Sequence, residues 1–221
     1  MSQDARLARR AGKVVLQLYR EHDPAAKEIA ERMGTPCKEG CSHCCQLPAT
    51  ATIPEMVPIV DYLTQRNDWP KRRPALEREL TRQLVAYDGV NVLDEDARIA
   101  FFRRKLSCVF LTSSQRCDVY AVRPTVCRYH MVTSSPDNCA AGAKVDEISI
   151  VDMHETENAI ALGAAAALGE LTGGPIALAF VLAADMLGIK LKIDRDLIKR
   201  VTMVRIPVKK QAGRRVHDHA L

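Results

Sequence analysis

The eight cysteines of this 221-residue chain all lie between positions 37 and 139, and their spacing constrains the fold more than any other feature. Four of them fall within nine residues, in the run Cys-Lys-Glu-Gly-Cys-Ser-His-Cys-Cys that starts at position 37. Thiolates are preferred ligands of zinc and of iron–sulfur clusters, and eight thiolates suffice for two four-sulfur sites. We therefore predict a metal centre whose candidate ligands are Cys37, Cys41, Cys44, Cys45, Cys108, Cys117, Cys127 and Cys139.

The adjacent pair Cys44 and Cys45 bears on the number of metals. Neighbouring side chains tend to point apart, most clearly in extended chain, so two vicinal thiolates on one tetrahedral ion would close a strained ring. This favours two nearby sites or one polynuclear centre. The wide spacing of the last four cysteines also differs from the two C-x2-C knuckles of a zinc ribbon. They can meet the first four only if the middle of the chain folds over them. The cofactor is zinc or an iron–sulfur cluster, of the 4Fe–4S type if the metal is iron.

The rest of the sequence predicts a mainly α fold: a helical domain with a small β-hairpin and cysteine-rich loops around the metal centre. Alanine and leucine are abundant, whereas aromatic residues make up only 5% of the chain, which favours helix over sheet. Thr52-Ile53-Pro54-Glu55 has the form of a capping box, which opens a helix that we expect to end near Arg66. Pro24 is expected to separate a first helix, over 3–20, from a second that Gly34 and Pro36 end. Further helices are predicted over 69–86, 94–104, 153–171, 175–187 and 194–202.

Two short apolar runs around Cys108 and Cys117, separated by Thr-Ser-Ser-Gln-Arg, predict the hairpin over 107–120, and 147–151 is a candidate strand. We divide the chain into four parts: N-terminal helices (1–36), a cysteine-cluster metal-binding domain (37–142), a C-terminal helical region (143–208) and a basic, mobile tail (209–221).

Charge and hydropathy narrow the possible partners and location. The formal charge is +5, from 32 basic and 27 acidic residues, and eight thiolates with two divalent ions would reduce it to about +1. Nucleic acid is therefore not indicated as a partner, which leaves a protein partner of unknown identity. The charged N-terminus lacks a signal peptide, so we expect a cytoplasmic protein with reduced thiols. The apolar runs within 159–187 are too short to span a membrane and suit a buried helical hairpin or a homodimer interface.

Several residues beside the cysteines are candidates for supporting roles. His43 lies inside the first cluster and His130 three positions after Cys127. Either imidazole could bind metal, but with enough thiols present a hydrogen bond to a thiolate is the favoured role. Arg123 and Arg128 could offset the negative charge of the thiolates.

The cysteine pattern resembles that of a known family. Three segments carry the resemblance: Cys-x3-Cys-x2-Cys-Cys, Cys108-Val-Phe-Leu, and the segment from Cys117 to Arg128, which ends in Tyr-x2-Arg-Pro-x2-Cys-Arg. Together they are similar to the YkgJ family of cysteine-cluster proteins, the CxxCxxCC zinc- or iron-chelating domain. The resemblance covers about Cys37 to Cys139. It implies that all eight cysteines, Cys139 included, belong to the family pattern.

The resemblance leaves the role of the metal open between a structural or binding role, a redox role and an enzyme. Some longer members are flagellin lysine N-methylases, but this chain is short and has no Gly-rich nucleotide-binding loop. Cys37-x3-Cys41-x2-Cys44 also has the spacing of the radical S-adenosylmethionine motif, although a mainly helical chain lacks the βα units of those enzymes. Four-thiolate coordination favours the first two roles, because a catalytic metal needs an open position.

Overall fold

The computed structural model describes residues 2–92, 94–139 and 149–207. Its helices are α1 (Gln3–Met33), α2 (Ile53–Thr64), α3 (Trp69–Tyr87), α4 (Glu95–Phe102), α5 (Thr125–Arg128), α6 (His154–Leu168), α7 (Ile176–Met186) and α8 (Arg195–Arg200). Three-residue and four-residue 3-10 turns occupy His43–Gln46, Tyr120–Val122 and Pro136–Cys139. The prediction of a mainly α fold is confirmed.

The first helix is continuous, so the predicted break at Pro24 was wrong. Pro24 lies inside α1 and removes only one backbone donor. The buried face of the helix runs past it, with Tyr19 before and Ala26 after, and this packing outweighs the local cost. The helix ends where Gly34 adopts a left-handed conformation (φ 62°) and donates to the carbonyls of Ala30 and Glu31, as the sequence predicted.

A small antiparallel sheet was not predicted. Its strands are β1 (Thr50–Thr52), β2 (Glu170–Pro175) and β3 (Val204–Pro207), with β2 in the middle. β2 contains the Thr-Gly-Gly-Pro sequence of positions 172–175, which joins the helices predicted over 153–171 and 175–187. Gly173 pairs with Thr52, and a Cβ on Gly173 would lie 2.6 Å from the Ala51 carbonyl oxygen, so the close approach of β1 requires glycine here.

The hairpin predicted over 107–120 is reduced to a single bridge between Leu111 and Cys117, closed by turn hydrogen bonds. Of the strand expected over 147–151, residues 147 and 148 lie outside the described ranges, and Ile150 forms an isolated bridge with Val132.

Two groups of buried side chains hold the elements together. The larger lies around α7, α2 and α3, where Phe180 packs edge-on against Phe110 with 5.4 Å between ring centroids. The smaller joins α1 and α6 through Tyr19, Tyr129 and Ile160. α6 and α7 are separated by β2 and do not form the expected helical hairpin, because Gly169 ends α6 and the chain pairs with β1 before α7 begins. Within the described ranges, no helix combines the length and apolar character that a membrane span requires.

Candidate metal centre

The first four cysteines occupy the connection between α1 and β1. After Gly34 the chain runs through a loop that carries Cys37 and Cys41, and Cys44 and Cys45 lie on the 3-10 turn His43–Gln46. The Cys45 carbonyl accepts the backbone N–H of Cys108 at 2.7 Å. This bond joins the first cluster to the second set of cysteines across 63 positions of sequence (108 minus 45).

Cys108 and Cys117 lie at the two ends of a compact turn. The Asp118 N–H donates to the Phe110 carbonyl at 2.9 Å, which closes the turn. The Asp118 carboxylate is almost buried and lies 2.9 Å from Arg66 and 2.6 Å from Arg72. Because both arginines belong to the α2–α3 region, these ion pairs fix the turn against the helical core.

Cys127 and Cys139 are placed by two short helical segments. Cys127 is in α5. The helix begins at Thr125, whose backbone N–H donates to the Glu55 carboxylate. Cys139 ends the 3-10 turn Pro136–Cys139 and is buried, whereas the other seven cysteines are half-buried.

The eight thiols fall into two adjacent groups. Thiols belong to one group when they are close enough for a charge on one to raise the pKa of another. The inner group is Cys45, Cys108, Cys117 and Cys127. The outer group is Cys37, Cys41 and Cys139, and we count Cys44 as its fourth thiol. Cys44 acts on members of both groups and lies at their junction.

The two groups differ in the space around them. The inner thiols line a narrow cavity of about 60 Å³. The outer thiols line a cavity of about 350 Å³, into which Lys27, Lys38, Arg123 and Arg128 also extend. Cys41, Cys44 and Cys127 border both cavities.

Burial and crowding keep most of these thiols protonated. Burial raises the pKa of Cys108 to about 12 and that of Cys139 to about 11, and it raises the pKa of Cys127 well above its usual range. Cys44 is the exception: a hydrogen bond from the Cys45 thiol lowers its pKa to about 7, and the same bond raises the pKa of Cys45. Because metal binding replaces thiol protons, metal uptake by these groups would release protons.

The donor chemistry fits a soft metal. The Val132 N–H donates to the sulfur of Cys37 at 3.4 Å, and the backbone N–H groups of Phe110 and Val119 bind the sulfurs of Cys108 and Cys117. Such N–H···S bonds stabilise thiolate ligands. The sulfurs nevertheless line the walls of cavities and are not gathered around a single metal position. Among residues 2–92, 94–139 and 149–207, no three His, Cys, Asp or Glu side chains have the spacing of a ligand set.

His130 is one of four described side chains with a buried polar atom that lacks a hydrogen-bond partner. Its Nε2 is buried without a hydrogen bond in the described structure, and its pKa is lowered by burial, which favours neutral imidazole. It borders the outer cavity beside Cys44, Cys127 and Cys139. His43 lies at the outer group too, with its Nε2 3.7 Å from Asp137.

Sequence reasoning missed two residues that position the thiols, Glu55 and Asp118. The capping box did identify Glu55 as a helix-start residue, but its bond to Thr125 spans 70 positions and leaves no local signal. Asp118 follows Cys117 directly, and the pairing of Asp118 with Arg66 and Arg72 depends on the packing of the turn.

A family model described as "CxxCxxCC: Putative zinc- or iron-chelating domain" matches residues 36–150, just over half of the chain. The match spans all eight cysteines and both thiol groups. No curated protein and no solved structure matches the chain.

Proposed function

Because the chain belongs to the CxxCxxCC family of zinc- or iron-chelating domains, we propose that it binds two metal ions through its eight cysteines. The inner group, Cys45, Cys108, Cys117 and Cys127, would hold one ion. The outer group, Cys37, Cys41, Cys44 and Cys139, would hold the other. The observation that carries the proposal is that thiols from distant segments line two adjacent cavities, with N–H donors directed at three of the sulfurs.

We infer zinc at the inner group. A cavity of about 60 Å³ has room for a few water molecules at most, which suits a single ion better than a four-iron cluster. Zinc takes four thiolates in a closed tetrahedron, and such a site stabilises the fold by on the order of 10 kcal/mol. The inner ion would therefore join the 37–46 loop to the 108–127 region and have a structural role.

We assign Cys44 and Cys45 to different ions because two vicinal thiolates on one tetrahedral ion would close a strained ring. The two sulfurs are hydrogen-bonded to each other, and a charge on Cys44 raises the pKa of thiols in both groups, so Cys44 would complete the outer group from its position at the junction. One vicinal pair would thus connect two metal centres through a single peptide bond. The lowered pKa of Cys44 makes it the thiol most readily available to a first incoming ion.

Metal and acid-labile sulfide content of anaerobically purified protein, with an absorbance spectrum, tests the proposal. We expect about two zinc ions per chain, no sulfide and no visible colour. Cys117→Ser and Cys37→Ser should each remove about one ion, from the inner and the outer group respectively. Ser42→Ala, in the same loop, is the control and should keep both.

A protein that binds no stoichiometric metal after reconstitution would refute the proposal. Loss of both ions in each single cysteine variant would refute the division into two groups. Iron with matching sulfide would refute zinc and give the protein a redox role instead.

A further inference from the structure

A second large cavity also borders the outer thiol group, with Cys44 and Cys139 in its wall. Its volume is about 410 Å³. Most of its wall is apolar and comes from Leu47, Pro48, Ile99, Phe102, Val126 and Ile150. The loop after the 3-10 turn, α4 and α5 therefore enclose it together.

The remaining wall is chemically different. Cys44, Cys127 and Cys139 line it together with His130, whose buried Nε2 has no hydrogen-bond partner in the described structure. An apolar chamber of a few hundred Å³ with a small number of converging polar groups is the usual form of a small-molecule site. A buried polar atom without a partner is costly, and a hydrogen bond from a ligand would remove that cost.

The charge around the cavity selects the class of ligand. None of its described lining residues is Lys or Arg, and the described ionisable residues that line it are Cys44, Cys127, Cys139, His130 and Glu95. The 350 Å³ cavity at the outer group, by contrast, has four basic residues among its described lining. The Glu95 carboxylate would therefore repel an anion from the 410 Å³ cavity, whereas it would not repel an uncharged molecule.

We propose that this cavity binds a small, uncharged, largely apolar molecule with one hydrogen-bonding group, and holds that group at His130 beside the outer metal centre. Only the contact with metal rests on the proposed function. The volume is that of a small ligand, so neither a helix nor a folded partner is the occupant.

A neutral fluorescent probe, N-phenyl-1-naphthylamine, tests binding on the full-length, metal-loaded protein. We expect saturable binding of about one probe per chain. Ile150→Asp places a carboxylate at the cavity wall and should weaken binding at least tenfold. Leu162→Asp is a matched control, because Ile150 is 62% and Leu162 66% exposed and only Ile150 lines the cavity. Absence of saturable binding, or equal weakening by both variants, would overturn the proposal.

Contact with the metal is tested separately with cobalt(II) in place of the native ion. The visible cobalt bands should shift when the probe saturates the protein and stay unchanged in Ile150→Asp. Probe binding without any band shift would overturn the placement beside the metal. The protein could bind no metal while Ile150→Asp still weakened probe binding and Leu162→Asp did not. That result would refute the proposed function and support the binding cavity.

Discussion

The Glu55 carboxylate accepts the backbone N–H of Thr125 at 2.7 Å, across 70 positions of sequence. The same carboxylate accepts the Thr52 N–H and hydroxyl at 2.8 and 2.7 Å, and the Tyr19 hydroxyl lies 3.3 Å away. Glu55 is buried, with 4% of its surface exposed. One side chain thus caps α2, contacts α1 and fixes the start of α5, two residues before Cys127.

Replacing Glu55 by Gln should destabilise the protein and weaken metal retention. The amide NH₂ would face at least one of the two backbone N–H donors, leaving a buried group unpaired at a cost of about 1–3 kcal/mol. Urea unfolding would measure the stability, and competition with a chelator would measure the metal affinity. Glu95→Gln, at an exposed position in the first turn of α4, is the control. Equal behaviour of the two variants would show that Glu55 does not position α5.

Arg123 is the cation shared by the two thiol groups. Its guanidinium lies 3.9 Å from the centre of the Tyr120 ring. Burial raises the pKa of Cys37 in the outer group and of Cys117 and Cys127 in the inner group, and the positive charge of Arg123 opposes this rise. The same charge adds to the lowering of the Cys44 pKa by the Cys45 thiol. Arg123 therefore favours the thiolate form on both sides of the junction.

Arg123→Gln should move metal uptake to higher pH. Without the cation the thiol pKa values rise, so protons compete with metal more strongly and the apparent affinity at pH 7 falls. The midpoint of zinc uptake as a function of pH is the measurement. Arg116→Gln is the control, because Arg116 precedes Cys117 but is exposed and pairs with Glu39. An unchanged midpoint in Arg123→Gln would contradict this role.

The sequence was informative at several positions where the structural signal is local, although packing overrode the local signal at Pro24. The capping box at Thr52 and Glu55 and the helix end at Gly34 were both predicted from residue type. The sheet was missed because Gly173 and Gly174 have low strand propensity, and their fit against Ala51 depends on a strand about 120 positions earlier. The candidate ligands followed from cysteine spacing. The separation into an inner and an outer group did not, because it depends on how the 108–118 turn packs on the first cluster.

Glu77 should contribute stability that depends on pH. Burial opposes its charge, but the Lys192 N–H at 3.0 Å and Arg73 at 2.8 Å outweigh burial and lower its pKa from 4.5. A carboxyl whose folded pKa is depressed stabilises the protein above the unfolded pKa, and this contribution is lost as pH falls through the folded value.

Glu77→Gln should therefore lower the free energy of unfolding by about 1–3 kcal/mol at pH 7, with a difference from the native protein that shrinks below about pH 4.5. Urea unfolding at pH 7 and at pH 3.5 gives both values. Glu79→Gln, on the exposed side of the same helix, should change little at either pH. A Glu77→Gln deficit that stayed constant with pH would exclude the charge as its source.

Gly173 and Gly163 should differ in how strongly replacement by alanine destabilises the protein. A Cβ on Gly173 would meet the backbone of β1, 2.6 Å from the Ala51 oxygen and 3.2 Å from the Thr52 Cα, so the strand must shift. We expect Gly173→Ala to cost about 1–3 kcal/mol, as overpacking of a close contact does.

A Cβ on Gly163 would lie 2.5 Å from Cδ1 of Leu18, which is the end of a flexible side chain on α1. Leu18 can rotate away, and alanine is favoured over glycine inside a helix by up to about 1 kcal/mol, so the net change should be small. Urea unfolding of the two variants compares them directly. A Gly173→Ala protein as stable as Gly163→Ala would mean that β1 moves away from β2 without cost, and that the sheet does not fix the strand linking the first cysteine cluster to α2.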